Sequence, residues 1–588
     1  MAKKWILRRI PADYKRLSER FGLDPVVIRV LVNRGYDTEE SIGKYLSFDD
    51  SGFENSDGLI DIDKAKEAVK RFRDEGRKVR IIGDYDIDGV CSTAILLKGL
   101  KKYGITADYA IPHRITDGYG MNANLVEGAK NDGITAIITC DNGISAHDEV
   151  ELAKSYGIDV VVTDHHDIPE ILPDALAVVD PKRSESNYPN TEICGAYVAY
   201  KLIAGLLFGD DSEMVVSEED RTLRDELRIL AGFATVGDVM PLNSENKALV
   251  KFCLNHIKDG LNTGLTALMD ATDLLEKQIS SYSIGFVLGP CINATGRIAS
   301  ADNALELLMC EDEIRAAEIA DLLKEMNEER KQMTEDGRTA ASELVKASGS
   351  IDDVLVLYLP DIHESIAGII AGRVKEEFYR PTIVFTDAEE GKIKGSGRSI
   401  EAYNMFAHLN ECKDLFDKFG GHPMAAGITM PKENLEELRK RLNENANLSE
   451  GDLTNTLYID ADMPFSYVTE RVVDDLARLE PYGNKNEKPI FARKEVTFTS
   501  GKIVGKNANV GIYTVKEANS GSRIFKLKLF RDLDCFHEFL DREFGEGSSA
   551  EIYRGKEFTM KVAYYPDLNE FQGVRNVEFV MTDYAKGE

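Results

Sequence analysis

The sequence predicts a multidomain α/β protein whose first large domain is built on a parallel β-sheet. At 588 residues the chain exceeds the length that one hydrophobic core supports. From about residue 79, short β-rich runs alternate with helix-length segments, which is typical of a parallel sheet. A second α/β segment and then a region of alternating apolar residues follow. We therefore expect a second α/β domain and a small antiparallel sheet or barrel after the first domain.

Each predicted element has its own stretch of sequence. The parallel strands are predicted at residues 79–82, 107–111, 135–139 and 159–163. Residues 190–345 have a mostly helical pattern that ends in a charged run with an apolar stripe, which predicts a long helix. The second α/β segment is predicted to contain strands at 354–359 and 381–385 around a helix at 364–378.

Composition excludes several classes of protein. No stretch approaches the ~20 apolar residues of a membrane span, and the arginines near the N-terminus leave no signal-peptide apolar region. The eight cysteines are scattered without a C-x-x-C pair, which argues against a zinc knuckle and against a disulfide framework. We expect a cytoplasmic protein with no membrane partner.

The net charge of −30 counts against a nucleic-acid partner, but the charge is unevenly distributed. Residues 485–588 carry a net charge of +1, so the remainder of the chain carries a net charge of −31. Within the tail, residues 493–531 hold nine basic side chains against two acidic ones, which predicts a docking surface for a polyanion. The basic residues are Arg493, Lys494, Lys502, Lys506, Lys516, Arg523, Lys526, Lys528 and Arg531. The interleaved aromatic residues, some of them expected in a barrel core, are Phe498, Tyr513, Phe525 and Phe530.

Three carboxylates, Asp84, Asp86 and Asp88, directly follow the first predicted strand. A calcium-binding EF-hand loop would need a glutamate at position 95, which is Ile95, and a helix before the loop. Helix capping alone would need only one carboxylate. Metal binding is therefore the favoured interpretation, with capping as the alternative.

Ligand-type side chains recur after the third strand, in Asp141-Asn-Gly143, and after the fourth, in Asp164-His-His166. Taken singly, Asp141 could be a turn former and each histidine a loop residue. The carboxyl ends of parallel strands share one crevice, however, so Asp84, Asp86, Asp141 and His165 can converge there, with His166 as a further candidate. Carboxylate and imidazole ligands suit Mn²⁺, Mg²⁺, Fe²⁺ or Zn²⁺, and a carboxylate such as Asp141 that bridges two ions fits phosphoester hydrolysis.

These three motifs resemble those of the DHH phosphoesterase superfamily. Later segments narrow the resemblance to the RecJ family of single-strand-specific 5′ to 3′ DNA exonucleases. Those segments are Ile111-Pro-His-Arg-Ile-Thr-Asp-Gly-Tyr-Gly120, Gly237-Asp-Val-Met-Pro-Leu242, Gly289-Pro-Cys-Ile-Asn-Ala-Thr-Gly-Arg297, Gly395-Ser-Gly-Arg-Ser399, Gly420-Gly-His422 and Leu479-Glu-Pro-Tyr-Gly-Asn484.

The resemblance implies roles for individual residues. The implied ligands of two Mn²⁺ or Mg²⁺ ions are Asp84, Asp86, Asp141, His165 and Asp238, with Asp141 bridging. By itself Asp238 would be a helix-end aspartate. Asp88 and His166 are expected to support the site, and His422 to contact the scissile phosphate. Ser396 and Arg398 are expected to grip the 5′ phosphate, and Arg114 and Arg297 are weaker candidates for phosphate contacts.

The resemblance also divides the chain and shows two departures. The expected parts are an N-terminal helical segment (1–60), a DHH catalytic domain (61–310), a linking helix (311–346), a DHHA1-type domain (347–450) and an oligonucleotide-binding (OB) barrel (451–588). Cys291 stands where the family usually has arginine, and Ser365 where it commonly has glycine. Both departures bear on substrate positioning more than on hydrolysis.

The sequence thus predicts a metal-dependent exonuclease that digests single-stranded DNA from the 5′ end to 5′-mononucleotides in DNA repair and recombination. One alternative is a DHH phosphodiesterase of short oligonucleotides or cyclic dinucleotides. The length of the chain and its basic tail count against that alternative. Another is a non-catalytic DNA-binding scaffold of the same fold. A single-strand-binding protein and a helicase are the partners that the resemblance implies.

Overall fold

The computed structural model describes residues 3–47, 52–114, 117–209, 217–505, 508–517, 523–571 and 573–587. The chain divides into two compact units. The larger unit contains Phe48–Leu453 and Gly483–Asn486, and the smaller unit contains Met1–Ser47, Thr454–Tyr482 and Glu487–Glu588. Among the described helices, none has both the length and the apolar character needed to cross a membrane.

The N-terminal part of the smaller unit forms one strand and three helices. They are β1 (Lys4–Leu7), α1 (Tyr14–Phe21), α2 (Pro25–Asn33) and α3 (Glu39–Leu46). Asp24 caps α2 by accepting a hydrogen bond from the Val26 amide, and Pro25 occupies the first helical position, where its missing N–H costs no hydrogen bond.

The first part of the larger unit alternates strands with helices, as predicted. Its elements are α4 (Ile62–Asp74), β2 (Val79–Ile82), α5 (Ile87–Tyr103), β3 (Ala107–Ala110), α6 (Ala123–Asn131), β4 (Ala136–Cys140), α7 (His147–Ser155), β5 (Asp159–Thr163) and β6 (Ala177–Val179). The five strands form one sheet in the order β3-β2-β4-β5-β6, and all pairs are parallel. Alternate residues pack on opposite faces, Ile81 and Ile138 in one core and Ile82 and Ile137 in another. The predicted parallel sheet is confirmed.

A helical region follows, also as predicted. Its helices are α8 (Gly195–Leu207), α9 (Glu218–Gly237), α10 (Ser244–His256), α11 (Thr263–Ala271), α12 (Ser281–Ser283), α13 (Gly289–Ile298), α14 (Asp302–Met309) and α15 (Glu313–Ala347). A π-helical turn, Ile284–Leu288, joins α12 to α13. The predicted long helix corresponds to the 35 residues of α15.

The second α/β segment of the larger unit is a five-stranded mixed sheet with helices. Its elements are β7 (Leu355–Tyr358), α16 (Ala367–Phe378), β8 (Thr382–Asp387), β9 (Lys392–Arg398), α17 (Met405–Asn410), β10 (Lys418–His422), β11 (Ala425–Pro431) and α18 (Leu435–Glu444). The strand order is β10-β11-β9-β8-β7. Only β7 and β8 pair in parallel; the other pairs are antiparallel.

The C-terminal part of the smaller unit is a barrel with helices. Its elements are β12 (Thr456–Ile459), β13 (Ala461–Asp462), α19 (Glu470–Ala477), β14 (Phe491–Val504), β15 (Val510–Glu517), β16 (Phe525–Leu529), α20 (Leu533–Phe544), α21 (Ser548–Glu551), β17 (Phe558–Phe571) and β18 (Val574–Lys586). Strands β14, β15, β16, β18 and β17 pair in that order, and β17 pairs again with β14, which closes the ring. Strand β1 pairs in parallel with β12. The predicted barrel is confirmed.

Candidate metal centre and phosphate-binding cavity

The candidate metal centre lies at the carboxyl ends of β2, β4 and β5. In the order β3-β2-β4-β5-β6, chain connections run outward in opposite directions from β2 and β4, so a crevice opens between the ends of these two strands. Asp84 comes two residues after the end of β2, and Asp141 directly follows β4. The strand order thus brings together side chains that are 57 residues apart in the sequence.

The loop after β2 is held tightly against the start of α5. A Cβ on Gly89 would lie 2.4 Å from the Asp84 carbonyl oxygen and 2.5 Å from its amide nitrogen, so only glycine fits there. Asp86 caps α5, because its Oδ1 accepts hydrogen bonds from the amides of Asp88 (2.9 Å) and Gly89 (3.1 Å). Capping and metal binding, which the sequence left as alternatives, are therefore compatible at Asp86.

Asp88 connects the site to the first turn of α8. Its Oδ2 accepts a hydrogen bond from the Gly195 amide at 2.7 Å, and its Oδ1 accepts one from the Ala196 amide at 2.8 Å. A carboxylate at a helix N-terminus is stabilised by these unpaired amides and by the helix dipole. A Cβ on Gly195 would lie only 2.7 Å from the Asp141 Cβ, so α8 approaches the site closely at this glycine. The two hydrogen bonds to Asp88 hold α8 at this distance.

Asp141 adopts a left-handed backbone conformation, with φ 60°, which aspartate tolerates better than most residues. Its amide donates to the Thr163 carbonyl (3.1 Å), and its own carbonyl accepts from the Tyr119 hydroxyl (2.7 Å). The next residue, Asn142, donates to the carbonyls of Ile82 (3.0 Å) and Cys140 (2.9 Å). Asn142 therefore ties the ends of β2 and β4 together.

His165 points its Nε2 at three carboxylates. The nearest oxygens are Asp141 Oδ1 at 3.1 Å, Asp88 Oδ2 at 3.5 Å and Asp238 Oδ2 at 3.8 Å. Burial lowers the pKa of His165, so the neutral imidazole, which is the metal-binding form, is favoured.

His166 turns instead toward Asp164. Its Nδ1 lies 2.7 Å from Asp164 Oδ1, and the Tyr119 hydroxyl lies 3.0 Å from its Nε2. Burial alone would lower the pKa of His166, but the carboxylate of Asp164 raises it to about 9. Asp164 also accepts from the amides of Ile144 and His165. His166 is thus a partly exposed side chain at the rim of the site, and its contact with Asp164 favours the protonated form.

Asp238 joins the site from the C-terminal end of α9, whose cap it forms. Its side chain is 29% exposed, whereas that of Asp141 is 3% exposed. The sequence pattern around Asp238 indicates only a helix end, and the convergence of α9 on the strand ends is a tertiary feature. The structure brings together all five predicted ligands, namely Asp84, Asp86, Asp141, His165 and Asp238.

The residues fit a divalent cation. Their ligand atoms form three groups, each within 4.8 Å: Asp84, Asp86 and Asp141; Asp88, His165 and Asp238; Asp141, His165 and His166. Neither buried carboxylate oxygen of Asp84 receives a well-formed hydrogen bond from a described residue. Burial and neighbouring carboxylates raise the pKa values of Asp84, Asp141 and Asp238. A bound cation would satisfy these oxygens and offset the repulsion.

A cavity of about 480 Å³ lies in the same unit, between the first domain and the second sheet. Its lining includes Arg114, Ser365, Lys394, Ser396 and Lys418. Ser396 and Arg398 are two residues apart on β9, so both side chains face the same side of the sheet. A Cβ on Gly368, in the first turn of α16, would lie 2.7 Å from Ser396 Oγ and 2.8 Å from Arg398 Nη2, so glycine permits this close approach.

The three arginines near the cavity have no carboxylate partner in the part of the chain that the structure describes. Among described residues, none of Arg114, Arg297 and Arg398 has a carboxylate within ion-pair distance; Arg297 donates to the Ser365 carbonyl at 2.7 Å and Arg398 to the Gly397 carbonyl at 2.7 Å. Burial, followed by the positive charge of Arg114, lowers the pKa of Arg297 to about 9 and also lowers that of Arg398. Buried guanidinium groups without counterions suit a phosphate.

His422 lies at the end of β10 and is 68% exposed. Its Nδ1 is 3.6 Å from Asp167 Oδ2, on the loop after the two site histidines. Of the two departures, Cys291 is buried, with its Sγ 3.4 Å from Asn327 Nδ2. Ser365 bonds through its Oγ to His363 Nδ1 at 2.6 Å and lines the cavity.

Sequence reasoning missed several residues that shape the site. Asn293 on α13 accepts a hydrogen bond from the Ile87 amide at 2.8 Å and so holds the loop of Asp86. Asp180 directly follows β6 and is buried, and burial raises its pKa to about 7. A strand-end search would have found Asp180, because it repeats the pattern of Asp141. Tyr119 and Asn293 do not directly follow a strand; they lie within two of the segments that carry the family resemblance, in which no role was assigned to them.

In the folded barrel, part of the positive charge predicted for residues 493–531 is neutralised by acidic residues from other segments. Arg493 lies 2.8 Å from Asp462, Lys516 lies 3.6 Å from Glu557, and Lys528 contacts Glu578. These three acidic partners lie outside residues 493–531. Lys494, Lys502 and Lys526 are exposed and have no ion pair with a described residue, and Lys506 lies outside the described residues.

The aromatic residues of the same stretch also divide into two groups. Phe498 and Tyr513 are fully buried in the barrel core, with ring centroids 5.5 Å apart, so they cannot stack on a base. Phe525 is half-buried. Phe530 is 47% exposed and is the member of the set that is available to solvent.

Family models match three segments in the expected order. The DHH family N-terminal domain matches residues 78–231, the DHHA1 domain matches 352–447 and the RecJ OB domain matches 459–583. The parallel sheet with its cluster of aspartates and histidines, followed by a DHHA1 sheet, defines a protein of the DHH class.

Relatives and solved structures narrow the class. The single-stranded-DNA-specific exonucleases RecJ of Salmonella typhimurium and Escherichia coli are 30% and 31% identical, over 98% and 95% of this chain and the same shares of theirs. RecJ of Bacillus subtilis is 35% identical over 88% of this chain, which covers 65% of that longer protein. RecJ of Thermus thermophilus in complex with Mn²⁺ aligns with 100% of this chain and 80% of its own, with TM-score 0.80 and 23% identity. A manganese-bound exonuclease RecJ aligns with 66% of this chain and 96% of its own, with TM-score 0.57 and 29% identity. The chain belongs to the RecJ family, and the resemblance predicted from the motifs is confirmed.

Proposed function

We propose that this chain is a divalent-metal-dependent exonuclease that hydrolyses single-stranded DNA from its 5′ end and releases 5′-mononucleotides. The observation that carries the proposal is the cluster of three groups of metal-type ligands in the same unit as a cavity beside arginines that pair with no carboxylate among the described residues. The ligand groups suit metal activation of a phosphodiester, and the cavity with its arginines suits the binding of phosphate groups. The RecJ relatives are named as exonucleases specific for single-stranded DNA.

The proposed ligands of two Mn²⁺ or Mg²⁺ ions are Asp84, Asp86, Asp141, His165 and Asp238. When bound, two ions activate water and stabilise charge on the transferred phosphorus. Asp141 would be the bridging ligand, because it belongs to the group with Asp84 and Asp86 and its Oδ1 also lies 3.1 Å from Nε2 of His165, which belongs to the group with Asp238. Asp88 orients α8 against the site, and Asp164 holds His166 protonated at the rim, where it can donate to a phosphate oxygen.

The second set of residues positions the substrate. In the proposal Ser396 and Arg398 bind the 5′ phosphate, assisted by Arg114 and Arg297, whose guanidinium groups pair with no carboxylate of a described residue. His422 contacts the scissile phosphate from β10, opposite Asp167.

The wider proposal concerns strand choice and partners. A cleft between the two α/β domains, bridged by α15, would admit one strand and exclude a duplex. The proposed domain boundaries are 1–60, 61–310, 311–346, 347–450 and 451–588. Work in repair and recombination would bring the enzyme together with a single-strand-binding protein and a helicase in the cytoplasm, and the exposed lysines of the barrel support contact with the DNA backbone.

The test is hydrolysis of a 3′-labelled, 5′-phosphorylated single strand beside its duplex and a dinucleotide, with Mn²⁺ and with EDTA. We expect mononucleotides from the single strand only, and none with EDTA or with Asp141→Ala. The matched control is Asp174→Asn, because Asp174 is an exposed carboxylate that pairs with Lys154 away from the strand ends. Its activity should equal that of the wild type.

Each rival predicts a different result in the same assay. Cleavage of the dinucleotide alone would favour a small-substrate phosphodiesterase. Tight binding of the single strand without cleavage would favour a scaffold. Equal digestion of a blunt duplex would contradict the proposed cleft.

A further inference from the structure

A pair of aromatic rings lies exposed on the surface of the larger unit. Tyr282 is 53% exposed and Phe286 is 58% exposed. Their ring centroids are 4.8 Å apart and their planes differ by 20°, so the two rings are stacked on each other. Large aromatic side chains that remain this exposed commonly mark a binding surface.

The backbone under these rings is a π-helical turn, Ile284–Leu288, between α12 and α13. Ile284 and Leu288 are fully buried and anchor the turn, while Phe286, between them, faces outward. Single π-helical turns occur preferentially at functional sites. The turn therefore presents Phe286 to solvent from a rigidly packed base.

This turn packs directly on segments that carry proposed metal ligands. A Cβ on Gly285 would lie 3.7 Å from Val236 Cγ1, and Val236 precedes Asp238 by two residues. A Cβ on Gly289 would lie 3.2 Å from Ile87 Cδ1, and Ile87 follows Asp86. The turn under the aromatic pair thus packs against the two segments that carry Asp86 and Asp238.

A third exposed apolar residue, Val239, directly follows Asp238. It is 65% exposed and has φ 58°, a left-handed conformation that is a genuine outlier for a β-branched residue. The Asn484 side chain donates to its carbonyl at 2.8 Å and helps to hold this conformation. Strained residues of this kind are concentrated at functional sites.

We infer that Tyr282 and Phe286 form a platform on which one base of the single strand stacks, with Val239 extending the apolar surface toward the metal centre. The inference rests on the proposed function. A nucleobase is the favoured occupant because the turn under the rings packs against the segments of Asp86 and Asp238, which belong to the site at which the strand would be cut. Stacking also accepts any base and requires no positive charge, which suits a chain of net charge −30.

The test compares Tyr282→Leu, Phe286→Leu and the double variant with the wild type. Leucine keeps an apolar side chain but removes the ring. The matched control is Tyr156→Leu. Lys130 lies 3.7 Å from the centroid of this ring, and Tyr156 precedes the amino end of β5, whereas the metal centre lies at the carboxyl ends of the strands. The control should leave kcat and KM unchanged.

The substrates are 5′-phosphorylated single strands in which one nucleotide at a time, along the first several positions, lacks its base. For the wild type, we expect one position at which the missing base raises KM about tenfold, equivalent to about 1.4 kcal/mol, with kcat little changed. The double variant should show the same rise in KM on the intact strand and no further rise at that position. A role that is only structural would not cancel the effect of a single base.

Three results would overturn the platform: no position-dependent effect in the wild type, an effect that persists in the double variant, or an equal change in the control. A double variant that handles every strand as the wild type does would point to a protein partner for the rings instead. If the wild type hydrolyses nothing, the proposed function fails, and binding then tests the platform separately. A strand with 2-aminopurine at the stacking position, bound in EDTA, should lose fluorescence with the wild type and not with the double variant.

Discussion

The metal centre of the parallel-sheet domain and the basic stretch of the barrel were both predicted from the positions of particular residue types in the sequence. The structure brings the predicted metal ligands together, whereas it neutralises or buries part of the predicted basic and aromatic surface. In the sheet domain, ligand-type residues from four separate segments form three groups, and the ligand atoms of each group lie within 4.8 Å of one another. In the barrel, acidic residues from elsewhere pair with three of the basic residues, and two of the four aromatic residues are core.

The difference has a physical cause. A parallel sheet brings all its carboxyl ends to one edge, so a strand-end residue has a known destination once the strands are recognised. A net charge along the sequence has no such geometric rule, because ion pairs and burial are decided by the tertiary fold. Position relative to a strand end therefore predicts function better than composition does.

The largest effect should come from the barrel core. Phe498→Ala removes a fully buried ring that contacts Tyr513 and Phe536, and should cost about 3 to 5 kcal/mol in the free energy of unfolding. Phe530→Ala, at an exposed ring, should change it by less than about 0.5 kcal/mol. The one tryptophan of the chain, Trp5, donates to Asp583 at 2.9 Å in the same unit, so its fluorescence reports on unfolding in urea.

Equal destabilisation by the two substitutions would mean that Phe530 is packed as well as Phe498, and the division of the aromatic set into core and surface would be wrong. Single-strand binding gives the complementary measurement. Phe530→Ala should weaken it and leave the barrel folded.

The next effect tests the metal centre through Asp84. Asp84→Asn should lower hydrolysis about a hundredfold or more, since even residues that only orient metal ligands cost 10- to 100-fold. In EDTA the same variant should be at least as stable as the wild type, because the Asp84 carboxylate accepts no well-formed hydrogen bond from a described residue and is repelled by the charge of Asp86. Thermal unfolding with Mn²⁺ and with EDTA measures the stability, and the hydrolysis assay measures the loss of activity.

A fall in the melting temperature of Asp84→Asn in EDTA would contradict this account, because it would give the carboxylate a structural role. A wild-type melting temperature that Mn²⁺ does not raise would contradict the metal centre itself.

The sequence predicted most of the strands and the ligands that follow them, since their pattern is local. Asp238 was found only through resemblance, because α9 reaches the strand ends by tertiary packing and its sequence shows a helix end. Asn293 and Tyr119, which hold the loop of Asp86 and the carbonyl of Asp141, bond to backbone groups distant in sequence, and no local pattern predicts such contacts.

A smaller effect should follow Asp88→Asn. The substitution keeps one acceptor for the amides of Gly195 and Ala196 but places an NH₂ group against the other amide, so α8 should shift. We expect hydrolysis to fall roughly 10- to 100-fold, in the range for residues that orient ligands. Asp88→Glu, which retains the charge on a longer side chain, should recover less than full activity; full activity would remove Asp88 from the positioning role.

The smallest effect concerns the exposed lysines of the barrel. Replacing Lys494, Lys502 and Lys526 with alanine should reduce the dependence of single-strand affinity on salt, by roughly 0.7 in the logarithmic slope for each phosphate that is no longer neutralised. Lys528→Ala is the matched control, because this lysine is already neutralised by Glu578 and should leave the slope unchanged. If the control changes the slope as much as each exposed lysine does, ion pairing in the folded barrel does not decide which cations meet DNA. The linear charge count, and not the structure, would then be the better guide to this surface.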